Sequence, residues 1–358
     1  MCKISYDKHV LVIFILILLQ SFPAICASKE LKIGFLYVSP ISDAGWTHAH
    51  DLGRKAIETL PGMTVKFVES VDEGIQTEPI LTYFAKKNYD LVFATSYGYM
   101  DPVIKIAKLY PKAIFMHCGG HKRAENVGVY FARIYQPRYL TGIAAGGMTR
   151  SNRIGYVAAY PIPEVIRGIN AFTIGAQSVN PDVKVHVVWT KTWYDPIKEK
   201  AAAVSMLDKG VDVITQHQDS PAAQVAAQKR NVYSIGYNTD MSKFAPKAHL
   251  TSAIWNWEIM YRYIVDQVRN DTWKSEDIWW GMEKGVVDIS PLSDFVPPAL
   301  KKKIQTKRQK LINGEIVVFQ GPIKDQKDVV RIPAKKRASD EKLLGMNWFV
   351  NGVMGSIE

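Results

Sequence analysis

From Leu31 onward, short β-branched or apolar runs alternate with longer segments of helical period, and this alternation limits the fold more than any other feature. "KIGFLYV", "TVKFVES", "YDLVFAT", "KAIFMHC" and "VGVYFA" are expected strands, with helices at "GWTHAHDLGRKAIETL", "IQTEPILTYFAKKN" and "DPVIKIAKLY" between them. Such a series requires a parallel sheet covered on both faces. A second series follows the small-residue helix "YLTGIAAGGMTRSN". Its strands are "RIGYVAA", "VKVHVVW", "VDVITQH" and "VYSIGYN", and its helices are "PEVIRGINAFTIGAQSVN", "PIKEKAAAVSMLDKG" and "SPAAQVAAQKR". Two similar α/β halves in one chain imply two lobes facing one another across a cleft. "HLTSAIWNW" then leads into the amphipathic "EIMYRYIVDQVRN", and the tail carries "GVVDIS", a basic helix and "EIVVFQGPIKDQ". No short-period repeat or low-complexity linker intervenes, so several short crossovers are expected between the lobes.

The N-terminus has a different character. Lys3 and Lys8 precede an unbroken apolar run from Val10 to Leu19, which gives way to "SFPAICAS". This is the layout of a secretory signal peptide, too short for a membrane span. Cleavage after Ala27 fits the small-residue rule; Cys26 supplies a second route, a lipid anchor, to which Ile25 is a poor fit. Either route predicts a protein that works outside the cytoplasmic membrane, in the periplasm or its equivalent. Among the three cysteines only Cys118 lies well inside the mature chain, so no internal disulfide is expected. Stability must come from burial, and 358 residues at 47% hydrophobic content suffice for two cores.

The formal charge of +11 invites a nucleic-acid reading. Much of it lies in "KKKIQTKRQK" and "AKKRASDEK", without interleaved aromatics, so a solvated helix face is expected and a nucleic-acid partner is not. Enzyme signals are also missing: no G-x-G-x-x-G follows the first strand, and neither a Walker loop nor G-x-S-x-G occurs. "HCGGH" gathers His117, Cys118 and His121 but lacks a fourth ligand at regular spacing, and no metal or cofactor is expected. His48 and His50, two apart on a helix, point in different directions.

Candidate ligand contacts come from the strand-to-helix junctions, where open α/β sheets bind ligands. The first junction, "VSPISDAGWTHAH", holds Ser42, Asp43 and Trp46. Trp46 either packs the first helix on the sheet or serves as a platform for something flat. Trp193, between a strand and Pro196, is less suited to core, and of Trp255 and Trp257 alternation directs one to the core and the other to the cleft or a hinge.

"KIGFLYVSPISDAGWTHAHDLGRKAIE", "RIGYVAAYPIPEVIRGINAFTIGAQSVNP", "IGYNTDMSKFAP", "VVFQGPIKDQ" and "MNWFVNGV" together resemble, in collinear order over nearly all of the mature chain, the basic membrane protein family. These are the purine-nucleoside-receptor-like solute-binding proteins of ABC importers. The resemblance implies the type I periplasmic binding protein fold, an α/β architecture of two Rossmann-like lobes with parallel sheets joined by three hinge crossovers. The lobes are then expected at 28–148 plus 255–290 and at 149–254 plus 291–358, after a signal peptide at 1–27. It further implies a monomer with no catalytic residues, a purine-type ligand, and an ABC permease in the cytoplasmic membrane as partner.

Carried over by position, Ser42 and Asp43 match polar ligand contacts and Trp46 an aromatic that stacks on a purine. "SYGYMD" brings Tyr97 and Asp101 to the cleft or beside it. Trp193 of "TKTWYDP" would cover the other face of the base, and Gln218 and Asp219 of "QHQDSPA" are candidate hydrogen-bonding groups. Two positions depart from the nucleoside receptors. Asn238 stands where an aspartate is usual and Trp255 where a lysine is usual, the two groups expected to hold ribose hydroxyls. An indole cannot replace an ammonium toward a diol, so the departures point to a free base such as adenine. A nucleoside receptor of the same type and a ligand-binding sensory protein are the alternatives.

Overall fold

The computed structural model describes residues 29–357 together with Met1. Apart from Met1, the expected signal peptide and its Cys26 lie outside the described residues. The first series of runs forms β1 (Leu31–Leu36), α1 (Trp46–Glu58), β2 (Met63–Val68), α2 (Thr77–Lys86), β3 (Leu91–Ala94), α3 (Met100–Leu109), β4 (Ile114–Cys118) and β5 (Val127–Ala132). The second forms α4 (Tyr135–Met148), β6 (Arg153–Ala158), α5 (Pro163–Gln177), β7 (Lys184–Trp189), α6 (Pro196–Leu207), β8 (Val213–His217), α7 (Ala222–Lys229), β9 (Tyr233–Asn238) and β10 (His249–Trp255). The chain continues through α8 (Trp257–Arg269), β11 (Asp277–Trp280), β12 (Val287–Ile289) and α9 (Pro298–Ile312).

The strands make two sheets of one topology. The first runs β2-β1-β3-β4-β5-β11, all neighbours parallel; the second runs β7-β6-β8-β9-β10-β12 with only β12 antiparallel. A two-residue strand, Val353–Met354, adds to the outer side of β7. Strand order reverses between β1 and β3 in one sheet and between β6 and β8 in the other. These are the switch points beside which crevices open at the carboxyl ends of strands. Burial follows position: central β3 is buried throughout, whereas β2, at the sheet edge, alternates in its first four residues, with Thr64 and Lys66 outward. Along α9 only Ile304 and Leu311 are buried, so its lysines and arginines form the solvated face expected of a charge run. Among the described residues no helix is long and apolar enough to cross a membrane.

The chain passes between the sheets after β5, after β10 and between β11 and β12. Two segments lie elsewhere than the expected boundaries put them. Helix α4, expected with the first lobe, packs on α5, α9 and β10 of the second, while α8 packs on α1. Strand β12 likewise joins β10 of the second sheet rather than the first lobe. The cause for α4 is its small residues. A Cβ at Gly142 would lie 2.0 Å from the Phe172 carbonyl oxygen, and one at Gly175 of α5 would lie 2.0 Å from that of Tyr139. The two backbones thus touch at closer range than ordinary helix packing. Strand β11 was not expected at all, because four residues with two tryptophans give no periodicity to detect.

The α4–α5 contact generates a prediction. Gly175→Ala, which inserts a methyl against backbone, should cost roughly 1–3 kcal/mol and lower the thermal midpoint. Gly168→Ala on the same helix meets nothing closer than 3.7 Å and should leave the midpoint unchanged or raise it. Equal midpoints for both variants would show that the helices are not in backbone contact.

Candidate ligand-binding site

Both switch points open onto a single cavity of about 240 Å³. Its walls come from the ends of nearly every strand: Trp46 after β1, Ser96 and Tyr97 after β3, Ile162 and Glu164 after β6, Trp193 after β7, His217 and Asp219 at and after β8. Phe131, Tyr237, Asp277 and Trp279 add to the lining, so aromatic rings share the surface with polar and charged side chains, Arg167 among them.

Trp46 is the first residue of α1 and is half-buried. Its indole N–H donates to the Thr95 carbonyl at 2.7 Å, which fixes the ring over the end of β3. Behind it Trp255 and Trp257 stack on each other at 4.7 Å and 10°, and both meet Trp46 nearly perpendicular, at 5.4 and 5.5 Å. On the opposite sheet Trp193 leans on Tyr160 at 5.0 Å, and its carbonyl accepts the Asp219 N–H at 3.2 Å.

Asp219 joins the two halves. Its carboxyl accepts from Asn238 Nδ2 at 3.0 Å and lies beside the backbone N–H of Trp46, at the start of α1 in the other lobe, which favours its charged form. Asn238 Oδ1 in turn accepts the Trp255 indole N–H at 2.9 Å. Beside this seam the Thr239 hydroxyl donates to the Ala44 carbonyl at 2.6 Å, and a Cβ at Gly45 would lie 2.2 Å from the Asp219 carbonyl oxygen. Burial, then the neighbouring carboxyls of Asp43 and Glu199, push the Asp219 carboxyl well above its ordinary range.

A second polar group faces the cavity from the other side. Glu164, in the first turn of α5, lies 3.2 Å from His217 Nε2 and accepts from the Tyr237 hydroxyl at 3.4 Å. Burial works to raise the Glu164 carboxyl, but His217, Arg167 and Arg138 together outweigh it and hold it below the usual range.

The family model for PnrA-like ABC transporter substrate-binding proteins, Bmp, matches residues 30–320. The chain belongs to the Bmp family. A Bmp protein is an extracytoplasmic substrate-binding protein of an ABC transporter rather than an enzyme, with a small-molecule ligand and a permease as partner. This chain is 43% identical to a purine-binding protein of Brucella abortus, over 91% of its own length and 94% of that protein's. It is 38% identical to a Haloferax volcanii protein named as a candidate ABC transporter glucose-binding protein, over 92% and 82%. A solute-binding protein of an ABC transporter system from Aeropyrum pernix superposes with a TM-score of 0.71 at 19% identity, covering 89% of this chain and 98% of that one. The fold is therefore that of the type I periplasmic binding proteins.

Within this Bmp protein, four of the residues singled out by sequence line the cavity: Trp46, Tyr97, Trp193 and Asp219. The others sit elsewhere. Ser42 is exposed. The Asp43 carboxylate is enclosed by its own chain, accepting from the N–H groups of Gly45, Thr47 and His48 at 2.8–3.0 Å and from the Ser39 hydroxyl at 2.7 Å. Four donors use the four lone-pair positions of a carboxylate, and the side chain secures the start of α1. Gln218 is fully buried, donating to Thr190 Oγ1 at 2.6 Å, and Asn238 and Trp255 support Asp219 from behind. Asp101 is paired with Lys122 at 2.6 Å, outside the lining. Glu164 and His217 were not anticipated. His217 closes a strand and Glu164 opens a helix, places where composition suggests only an element boundary; the available signal was their position at the end of β8 and in the helix that follows β6.

Glu199 gives the acidic seam a measurable signature. It is fully buried, accepts the Asp195 N–H at 3.0 Å and the Ser220 hydroxyl, and burial raises its carboxyl from 4.5 to about 7. A raised folded value means that the stability it contributes is complete below the unfolded value and is lost as pH rises through about 7. Glu199→Gln removes that loss. The variant should match wild type near pH 4 and exceed it above pH 7 by on the order of 3 kcal/mol, read as a widening gap in thermal midpoint. Parallel pH profiles for the two proteins would show that Glu199 ionises freely in the fold.

Proposed function

We propose that this protein binds a purine in the cavity between its lobes, favouring a free nucleobase such as adenine, and closes on it for delivery to the permease. The observation that carries the reading is the pairing of Trp46 from one lobe with Trp193 from the other on the lining of one cavity. A flat heterocycle gains about 1–3 kcal/mol from each aromatic partner it stacks on. Asp219 supplies a polar edge, and a buried donor or acceptor left without a partner costs about 1–3 kcal/mol, enough to choose among bases. The purine-binding relative in Brucella abortus, similar over nearly the whole chain, supports the ligand class.

The preference for base over nucleoside rests on Asn238 and Trp255. In the receptors this chain resembles, an aspartate and a lysine at these positions are expected to hold the ribose; here the indole donates to the amide, and the amide donates to Asp219. A ribose would find neither an ammonium nor a free carboxylate there. The mechanism is closure with differential affinity: a ligand that touches both lobes stabilises the state in which the lobes meet. The similarity to the protein named for glucose binding supports a sugar as the second reading.

The mature protein, stripped of copurified ligand by unfolding and refolding, should be screened by thermal shift against adenine, hypoxanthine, adenosine and glucose. Adenine or hypoxanthine should raise the midpoint, with about 2.7 kcal/mol of stabilisation at a hundredfold excess over the dissociation constant. Adenosine and glucose should not. Trp46→Ala and Trp193→Ala should each weaken purine binding more than tenfold, about 1.4 kcal/mol. A response to adenosine would restore a nucleoside receptor, and a response to glucose alone would replace the purine with a sugar.

A further inference from the structure

We infer that Asp277 chooses between bases: its carboxylate accepts an N–H from the exocyclic amino group of the ligand, so that the cavity takes an aminopurine in preference to an oxopurine. The inference rests on the purine reading above and deepens it by naming the group on the base that is recognised.

Strand register turns Asp277 toward the cavity. The residue opens β11, which pairs in parallel with β5, and the register sets Asp277 opposite Val129 and Trp279 opposite Phe131. Alternate residues of a strand share a face. These four all line the cavity, whereas Ile278 and Tyr130, between them, are buried in the core. Phe131 meets the Trp46 ring at 6.3 Å, which joins this wall to the proposed stacking site. Two residues of strand, about 7 Å, separate Asp277 from Trp279, so the carboxylate stands at the border of the aromatic wall. A base lying on Trp46 presents its edge to that border, and the edge is where its exocyclic groups are.

Among the described residues the cavity lining holds three carboxyl side chains, Glu164, Asp219 and Asp277. Asp219 accepts from Asn238, and Glu164 accepts from the Tyr237 hydroxyl. Asp277 is exposed and has neither a hydrogen bond nor an ion pair within the described residues; burial is the largest influence on its carboxyl and Asp340 adds to it, while Arg123 and His121 oppose both. An exposed carboxyl is ionised near neutral pH, and an ionised carboxylate only accepts. A ligand that displaces water from it must therefore bring an N–H or leave the acceptor unpaired. The amino group of adenine brings one. Hypoxanthine carries a carbonyl oxygen at the same position, whose lone pairs would face those of the carboxylate. Asn238 and Trp255 bear on the ribose and Asp277 on the base, so the two selections act on different parts of the ligand.

Calorimetric titration of the full mature chain with adenine, hypoxanthine and unsubstituted purine tests this. Wild type should bind adenine about tenfold or more tightly than either of the others, because purine lacks the amino group and hypoxanthine replaces it. In Asp277→Asn the carboxamide also donates, so hypoxanthine gains a partner and the lead of adenine over it should shrink by about tenfold. The side chain is exposed and unbonded in the fold, so the variant should keep the wild-type thermal midpoint in the absence of ligand. Purine binding to wild type as tightly as adenine would overturn the inference, since no amino N–H would then be recognised. A preference for adenine over hypoxanthine that survives the substitution unchanged would also overturn it, and would leave the purine reading intact. No binding of any of the three would overturn both.

Discussion

The Asp219 carboxyl is the point on which the arrangement of the two lobes depends. It accepts from Asn238 in its own lobe and lies beside the backbone N–H of Trp46 in the other, where Gly45 has no room for a side chain against the Asp219 backbone and Thr239 donates to the Ala44 carbonyl. A helix N-terminus is a good partner for an acceptor, and here the helix and the acceptor belong to different sheets. The contact therefore exists only when the lobes are together. From Asp219 the hydrogen bonds run through Asn238 to Trp255, whose ring begins an aromatic column through Trp257 to His50, spaced 4.7 and 4.4 Å. Trp255 ends β10 of the second sheet and Trp257 begins α8, which packs on the first; the chain crosses between them at Asn256. The ring that faces the cavity, Trp46, is wedged edge-on against this column. The contact between the lobes and the seating of a cavity wall thereby share one set of rings.

Much of this architecture was legible in the sequence because period and hydrophobicity report on burial. The nine runs from "KIGFLYV" to "VYSIGYN" became β1 to β9 with ends shifted by a few residues at most. What period cannot report is partnership. Asp43 has the residue type and position of a ligand contact and equally those of a helix-start anchor, and only coordinates distinguish them. Alternation sent Trp255 and Trp257 to different environments, yet they stack. Asn256 takes φ −115° and ψ 67°, turning the chain between strand and helix, so the two-residue period ends one position too early for the argument to apply. Helix α4 was assigned to the nearer lobe in sequence because its small residues carry no periodic address; they mark a close contact without naming the partner.

The site's electrostatics show why net charge was a poor guide to the ligand. The chain carries +11 overall, but its basic run lies along α9, on a face turned to solvent. In the cavity the charges are arranged against one another. Glu164 has His217 at contact distance and feels Arg167 and Arg138; the Arg138 guanidinium, fully buried, lies 3.6 Å over the Tyr237 ring. Asp219 and Asp277 are both pushed up by burial, which favours their uncharged forms. The lining sets the Glu164 carboxylate against these guanidinium groups. Its aromatic rings favour a flat ligand, and Asp219, pushed toward its uncharged form, asks for hydrogen bonds rather than for charge. A neutral heterocycle with N–H and ring nitrogen on its edges meets both demands, whereas a phosphate or carboxylate would have to displace Glu164 from the cations that already compensate it.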